Sequence, residues 1–180
     1  MDEVGRGPLA GPVTVGVVLM REKEAKRLPP LRDSKRLTQA GRARVVRKYI
    51  LEKGAKYALA SVSAKVIDRR GISAAVRTAV RLALQRVGAR PGVCKVVLDG
   101  NLSAPIKYYQ KTIVRGDETV PIIALASSVA KLHRDRLMKR YAKRYPGYGF
   151  ERHVGYGTTA HYAAIRTLGP SEIHRRSFLS

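Results

Sequence analysis

The sequence predicts an α/β fold, on three observations. Apolar, β-branched runs at residues 12–20, 56–64 and 93–98 read as strands. Segments at 38–53, 72–88 and 122–145 repeat their apolar residues every three to four positions, as helices do. The runs at 12–20 and 93–98 lack the apolar–polar alternation of a half-exposed strand, so helices are expected to cover both faces of those two.

Taken in order, the chain opens on MDEVGRGPLAGPV. Asp2 and Glu3 run into Gly5, Arg6 and Gly7, and a second turn closes at Pro8, Gly11 and Pro12. Glycine lets a backbone come close to a ligand that a Cβ would exclude, so acids beside a glycine-flanked arginine suggest metal on one side and a phosphodiester on the other. A tight hairpin with solvated acids fits the same six residues DEVGRG equally well. The strand PVTVGVVLM follows, then a charged loop marked by Pro29 and Pro30. Thr38 caps a helix to about Lys53, with Ala43, Val46 and Ile50 on one face and Gly54 as its stop. After the strand KYALASVSA, Gly71 opens a helix whose inner face is Ile72, Val76, Ala79 and Ala83.

Pro91 and Gly92 turn the chain into VCKVVL, which delivers Asp99 at a strand's C-terminal end, where open α/β sheets keep their sites. A loop with Tyr108 and Tyr109 leads to KTIVRGD, a short strand expected to end at Gly116 and Asp117. The helix over 122–145 turns Val129, Leu132, Leu137, Tyr141 and Tyr145 inward. Arg134, Arg136, Lys139, Arg140, Lys143 and Arg144 are expected to form its basic surface. At Pro146 the composition shifts to glycine, tyrosine and histidine, separating residues 1–145 from a C-terminal extension over 146–180 that holds a short helix at 158–168.

Charge and cysteine content narrow the function. Thirty-six Lys and Arg against thirteen Asp and Glu leave a net charge of +23, which points to a polyanionic partner, nucleic acid before membrane. There is no run of about eighteen apolar residues and no signal-peptide pattern, so a cytoplasmic location with no membrane partner is expected. Cys94, alone in an apolar run, reads as a small core residue. His133, His153, His161 and His174 lack zinc-ligand spacing and read as satisfied or surface side chains. Of the few acids, Asp2 with Glu3, Asp99 and Asp117 stand at strand ends or the turn beside one. Gathering four carboxylates demands a counter-charge, which oxygen-loving Mg²⁺ or Mn²⁺ supplies. Two such ions about 4 Å apart clamp the attacking and leaving oxygens of a phosphodiester.

The blocks DEVGRGPLAGPV, DSKRLT, LDGN, RGD, ASSVAKLHRD, YPGYGF, GYGT and HRRSF, in this order over nearly the whole chain, closely resemble ribonuclease HII, the type 2 ribonuclease H family. The resemblance implies a ribonuclease H-like mixed five-stranded sheet flanked by helices, with a helical C-terminal extension. It implies hydrolysis of the RNA strand of RNA–DNA hybrids and of the phosphodiester 5′ to single ribonucleotides in duplex DNA, leaving 5′-phosphate and 3′-hydroxyl ends. By position, Asp2, Glu3, Asp99 and Asp117 match the family's metal-binding acids, with two divalent ions in the active complex. Gly5, Arg6 and Gly7 match its GRG motif, Tyr156 the tyrosine under the junction sugar, and Lys35 and Lys131 fall in motifs near the phosphate backbone. Arginine at position 6 favours type 2 over the type 3 enzymes, which carry GKG.

A non-catalytic RNA-binding protein would account for the charge but not for acids followed by GRG. A resolvase or integrase would account for the acids but not for GRG with GYGT. The chain is expected to act as a monomer. A sliding-clamp partner is compatible with the resemblance, but the tail RRSFLS holds no convincing clamp-binding peptide. The resemblance departs at its start, because the family's first strand begins several apolar residues earlier whereas only Met1 precedes Asp2. A first strand truncated before Asp2 is therefore expected, as an internal GTG codon read as a start would produce.

Overall fold

The computed structural model describes residues 1–29, 31, 38–52 and 54–179. Its first strand, β1 (Asp2–Val4), pairs antiparallel with β2 (Val13–Leu19). A short helix, α1 (Glu22–Lys26), falls where the sequence suggests only a charged loop. Next comes α2 (Gln39–Val46), capped by the Thr38 side chain as expected, and a π-helical stretch, Arg47–Glu52, continues it. Strand β3 (Lys56–Val62) returns antiparallel to β2. Helices α3 (Ala64–Arg70) and α4 (Ile72–Val87) follow, then β4 (Lys95–Asp99) and β5 (Tyr109–Ile113), which pair in parallel. A single-turn helix, α5 (Gly116–Thr119), leads into the long α6 (Pro121–Arg144). Two shorter helices, α7 (Phe150–His153) and α8 (Thr159–Leu168), and a 3₁₀ turn, Arg176–Phe178, close the chain.

The two ladders, β1–β2–β3 and β4–β5, meet at one residue. The Met1 amino group donates to the Val97 carbonyl at 2.8 Å and the Asp99 N–H donates to the Met1 carbonyl at 3.1 Å. That is the pattern of a parallel pair, so the five strands follow one another in the order β3, β2, β1, β4, β5 as a mixed sheet. The junction brings the start of β1 beside the C-terminal end of β4.

Strand β2 shows why its sequence does not alternate. Val13, Val15 and Val17 face a core built with Ala75, Val76, Ala79, Val80, Ala83 and Leu84 of α4. The opposite face packs on α6, where Val18 meets Leu125, Ala126 and Val129. At Gly16 the helix comes so close that an added Cβ would stand 2.6 Å from the Ala126 carbonyl oxygen. Only glycine permits that crossing distance.

Several expectations shift. The strand expected over 111–117 begins at Tyr109 and ends at Ile113, because Arg115 takes a left-handed backbone (φ 52°) that breaks the extended run. Asp117 consequently rides on α5 rather than on a strand end. Cys94 is half-buried and precedes β4, since the turn at Pro91 and Gly92 carries Val93 into solvent at 70% exposure. Tyr141 and Tyr145 do turn inward, packing half-buried against a small cluster of Ala10, Met138, Tyr148 and Phe150, and Leu137 is half-buried.

Gly16→Val is expected to lower the unfolding free energy by about 1–3 kcal/mol, as overpacking does. Urea denaturation measures this; a variant as stable as the parent would mean that α6 can lift from the sheet without loss.

Candidate active site

Three acids converge where the two ladders meet. Asp2 on β1, Asp99 at the end of β4 and Asp117 on α5 each present a ligand oxygen, and these oxygens lie within 4.8 Å of one another. Asp99 organises the cluster. Its Oδ1 accepts the Gly116 N–H at 2.6 Å and the Asp117 N–H at 3.3 Å, so one acid holds the turn that carries the next. Burial pushes the Asp2 carboxyl above its usual range; Asp99 and Asp117 push the same way, while Lys131 on α6 opposes them. Crowded carboxylates resist ionisation. An all-oxygen donor set of this kind fits a hard divalent cation, which would reverse that penalty.

Glu3 lies outside this trio. Its carboxylate sits 3.7 Å from the Arg6 guanidinium; burial, then Asp2, push the carboxyl upward, and Arg6 opposes. Lys131 is half-buried and close enough to Asp2 to favour its ionised form. Lys35 lies outside the described residues.

The loop after β1 is shaped by two arginines. Arg134, expected on the basic surface of α6, is 1% exposed. Its Nη1 donates to the Pro12 carbonyl at 2.5 Å, and its Nη2 to those of Ala10 and Val154 at 3.1 and 3.0 Å. Arg175, from the HRRSF tail, is fully buried and donates to the carbonyls of Gly11, Arg6 and Gly5 at 3.0, 2.8 and 2.5 Å. Burial lowers both guanidiniums to about 10, so both stay cationic at neutral pH. Gly5 adopts φ +85°, and a Cβ there would collide with the Arg134 guanidinium.

The expected basic surface fails at Arg134 because buried residues recur at 126, 130, 134 and 138, and the arginine occupies that inward row. That four-residue spacing was the available sequence signal. Arg175 has no such signal, since it lies outside any regular repeat.

Tyr156 comes to the same loop from the far end of the chain. The Leu9 and Ala10 N–H groups donate to the Gly155 carbonyl at 2.8 and 3.3 Å. A Cβ on Gly7 would lie 4.0 Å from the Tyr156 ring, which is 46% exposed. GRG and GYGT therefore form one surface.

The family model described as Ribonuclease HII matches residues 1–180. The chain belongs to the ribonuclease HII family. It is 47% identical over 182 residues to Ribonuclease HII of Parasynechococcus marenigrum, covering 99% of this chain and 80% of that protein. Ribonuclease HII of Coxiella burnetii is 40% identical over 178 residues, covering 99% of this chain and 86% of its own. Among solved structures, ribonuclease H2 of Pyrococcus horikoshii matches with a TM-score of 0.78 at 26% identity, over 98% of this chain and 90% of that one. Ribonuclease HII of Archaeoglobus fulgidus, solved in complex with PCNA, gives 0.77 at 21% over 99% and 91%, which shows the shared fold. The chain is thus a ribonuclease H-type endonuclease, a hydrolase of nucleic acid, in a family that depends on divalent metal. Among the described residues no helix is long and apolar enough to cross a membrane.

Arg175→Gln is expected to destabilise this ribonuclease by about 2–4 kcal/mol, since a short amide cannot reach three buried carbonyls and each orphan is penalised by roughly 1–3 kcal/mol. Chemical denaturation tests this directly, and unchanged stability would show that solvent satisfies the loop.

Proposed function

We propose that this ribonuclease HII cleaves the RNA strand of RNA–DNA hybrids and the phosphodiester 5′ to single ribonucleotides in duplex DNA, leaving 5′-phosphate and 3′-hydroxyl ends. The observation that carries the reading is the orientation of the GRG backbone. The Gly5 and Arg6 carbonyls point inward at Arg175. Across a trans peptide the following N–H points the opposite way, so the N–H groups of Arg6 and Gly7 face outward beside Tyr156. Only the 2′-hydroxyl distinguishes ribose from deoxyribose, and close backbone donors flanked by an aromatic ring suit its recognition. Base identity need not be read, so phosphate contacts from the +23 chain suffice for affinity.

Asp2, Asp99 and Asp117, with Glu3 beside them, would hold two Mg²⁺ or Mn²⁺ ions in the active complex. Bound ions of this kind supply Lewis-acid stabilisation of a phosphoryl group and an activated water. The chain's own share is positional. Asp99 fixes the Asp117 turn, Lys131 tempers the charge at Asp2, and Arg6 is held near the site by Glu3. Residues 1–145 act as the catalytic part and 146–180 as the extension carrying Tyr156. The enzyme works as a monomer; a sliding-clamp partner stays compatible with the family, although no convincing clamp-binding peptide stands in the tail. Its Arg176 and Ser177 N–H groups are engaged by the Asp68 carboxylate at 3.0 and 3.1 Å.

A gel of duplex DNA with one embedded ribonucleotide should show a single cut 5′ to it, only with Mg²⁺ or Mn²⁺. Equal cutting of all-DNA duplex would refute the reading. Asp99→Asn keeps an oxygen acceptor for the Gly116 N–H but removes the charge. Cleavage should fall by more than about 100-fold while duplex binding stays intact or tightens. Parallel loss of binding would make Asp99 structural.

A second comparison separates specificity from affinity. Tyr156→Ala should impair cleavage at a single ribonucleotide more than it weakens binding to plain duplex. Neutralising the exposed Lys139 and Arg140 should do the reverse and flatten the salt dependence by about one unit of slope per lost phosphate contact. Identical behaviour of the two variants would remove the junction role from Tyr156.

A further inference from the structure

Three histidines lie behind Tyr156, and their hydrogen bonds dictate where each proton sits. The Ser171 N–H donates to Nδ1 of His174 at 2.9 Å, which requires that nitrogen to be bare, and the Ser171 hydroxyl stands 2.8 Å from the same atom. Neutral His174 therefore carries its proton on Nε2, 3.0 Å from Nε2 of His161. The His161 Nε2 must then be the acceptor, which leaves the His161 proton on Nδ1. That Nδ1–H donates to the Tyr156 carbonyl at 2.8 Å. His153 obeys the same logic: Nδ1 accepts the Gly155 N–H at 3.2 Å and Nε2–H donates to the Tyr148 carbonyl at 2.8 Å.

The array tolerates no extra proton, because an imidazolium would set one N–H against another along the line. It is closed to water, with His161 fully buried and His174 2% exposed. Phe150 stands edge-on to His161, and Tyr148 is tilted against His174. His153 stacks on His161 with centroids 4.3 Å apart. Burial, then the neighbouring His161, push His174 down to about 4, and burial moves His161 the same way. Both rings are thus neutral at pH 7, as the hydrogen bonds require.

We propose that His174 and His161 are positioning residues for substrate cleavage, a fixed-tautomer relay running from the tail to the Tyr156 carbonyl that sets the tyrosine ring for the junction sugar. The inference rests on the junction-contact reading of Tyr156. Tyr156 lies in irregular backbone between α7 and α8, and its carbonyl is gripped by the His161 ring and by the Thr158 N–H at 2.9 Å. The next residue after His174 is Arg175, which holds the Gly5 and Arg6 carbonyls. Two consecutive tail residues thereby set both halves of the recognition surface, GRG through the arginine and the tyrosine through the relay.

Two amide substitutions at one position test this on the full chain. His161→Asn places an N–H donor where Nδ1–H stands and keeps the bond to Tyr156. His161→Gln reaches the Nε2 position, keeping the link to His174 while losing the donor to Tyr156. The expected result is a loss of about 2- to 5-fold in single-ribonucleotide cleavage for His161→Asn, which keeps the donor to Tyr156 but gives up the link to His174, and a kcat lower by about 10- to 100-fold with little change in KM for His161→Gln. The double variant Tyr156→Ala with His161→Gln should be no slower than Tyr156→Ala alone. Equal losses in the Asn and Gln variants, or additive losses in the double variant, would overturn the relay. Nitrogen-15 NMR of the unmutated protein decides the tautomers without any variant, and a His161 protonated on Nε2 overturns the proposal by itself. Should Tyr156→Ala cleave like the parent, the junction-contact reading falls, and the relay's role with it. A damaged Tyr156→Ala beside an undamaged His161→Gln removes the relay alone.

Discussion

Six carbonyl oxygens of irregular backbone, those of Gly5, Arg6, Ala10, Gly11, Pro12 and Val154, end on two buried guanidiniums. The rest of the candidate site depends on that interaction. A loop containing three glycines has little local preference for one shape, and ordering it is opposed by conformational entropy. Carbonyls turned into the protein must still find donors, since an unpaired buried backbone group is penalised as heavily as a lost hydrogen bond. Arginine meets both demands, because its donors are fixed in a planar fork and reach several acceptors without relaxing. The two side chains come from the middle of α6 and from the C-terminal tail, so the loop takes its shape only when the whole chain is assembled.

Helix α6 links the parts of the site. Its small residues lie against Gly16 on β2, which fixes its distance from the sheet. Lys131 and Arg134, nearly a turn apart on the same helix, then address the acid cluster and the loop respectively. The acids themselves depend on a narrow junction. Met1 supplies both hydrogen bonds between β1 and β4, and these bring Asp2 alongside Asp99. A protein with so large a positive excess thus keeps a small concentration of acidic side chains at one seam of its sheet, an all-oxygen donor set suited to a hard divalent ion.

Much of this was legible in the residues. The unalternating run of β2 implied two covered faces, and α4 and α6 cover them. Asp2, Asp99 and Asp117 were singled out as acids placed at strand ends or a neighbouring turn, and their oxygens do converge. Thr38 capped its helix as its side chain predicts. The misreadings also have causes. Asp117 moved from strand to helix because a left-handed Arg115 broke the strand and the Asp99 carboxylate captured the next two N–H groups. Cys94 left the core because the preceding turn carried the chain outward.

By itself the sequence determined what depends on neighbours along the chain: helix and strand periods, the cap, the glycine turns, and the order of motifs that marks the family. Tertiary structure alone decided which charges went inside. Arg134 read as a surface cation because desolvating a guanidinium is costly, and Arg175 carried no signal either way; for both, that cost is offset only by carbonyls lying 20 to 170 positions away. The histidines read as satisfied or surface side chains, and His153, His161 and His174 are satisfied, but their partners were opaque. Their tautomers follow from which backbone groups and which other ring face them, and those partners meet only when the tail folds back over the GYGT turn.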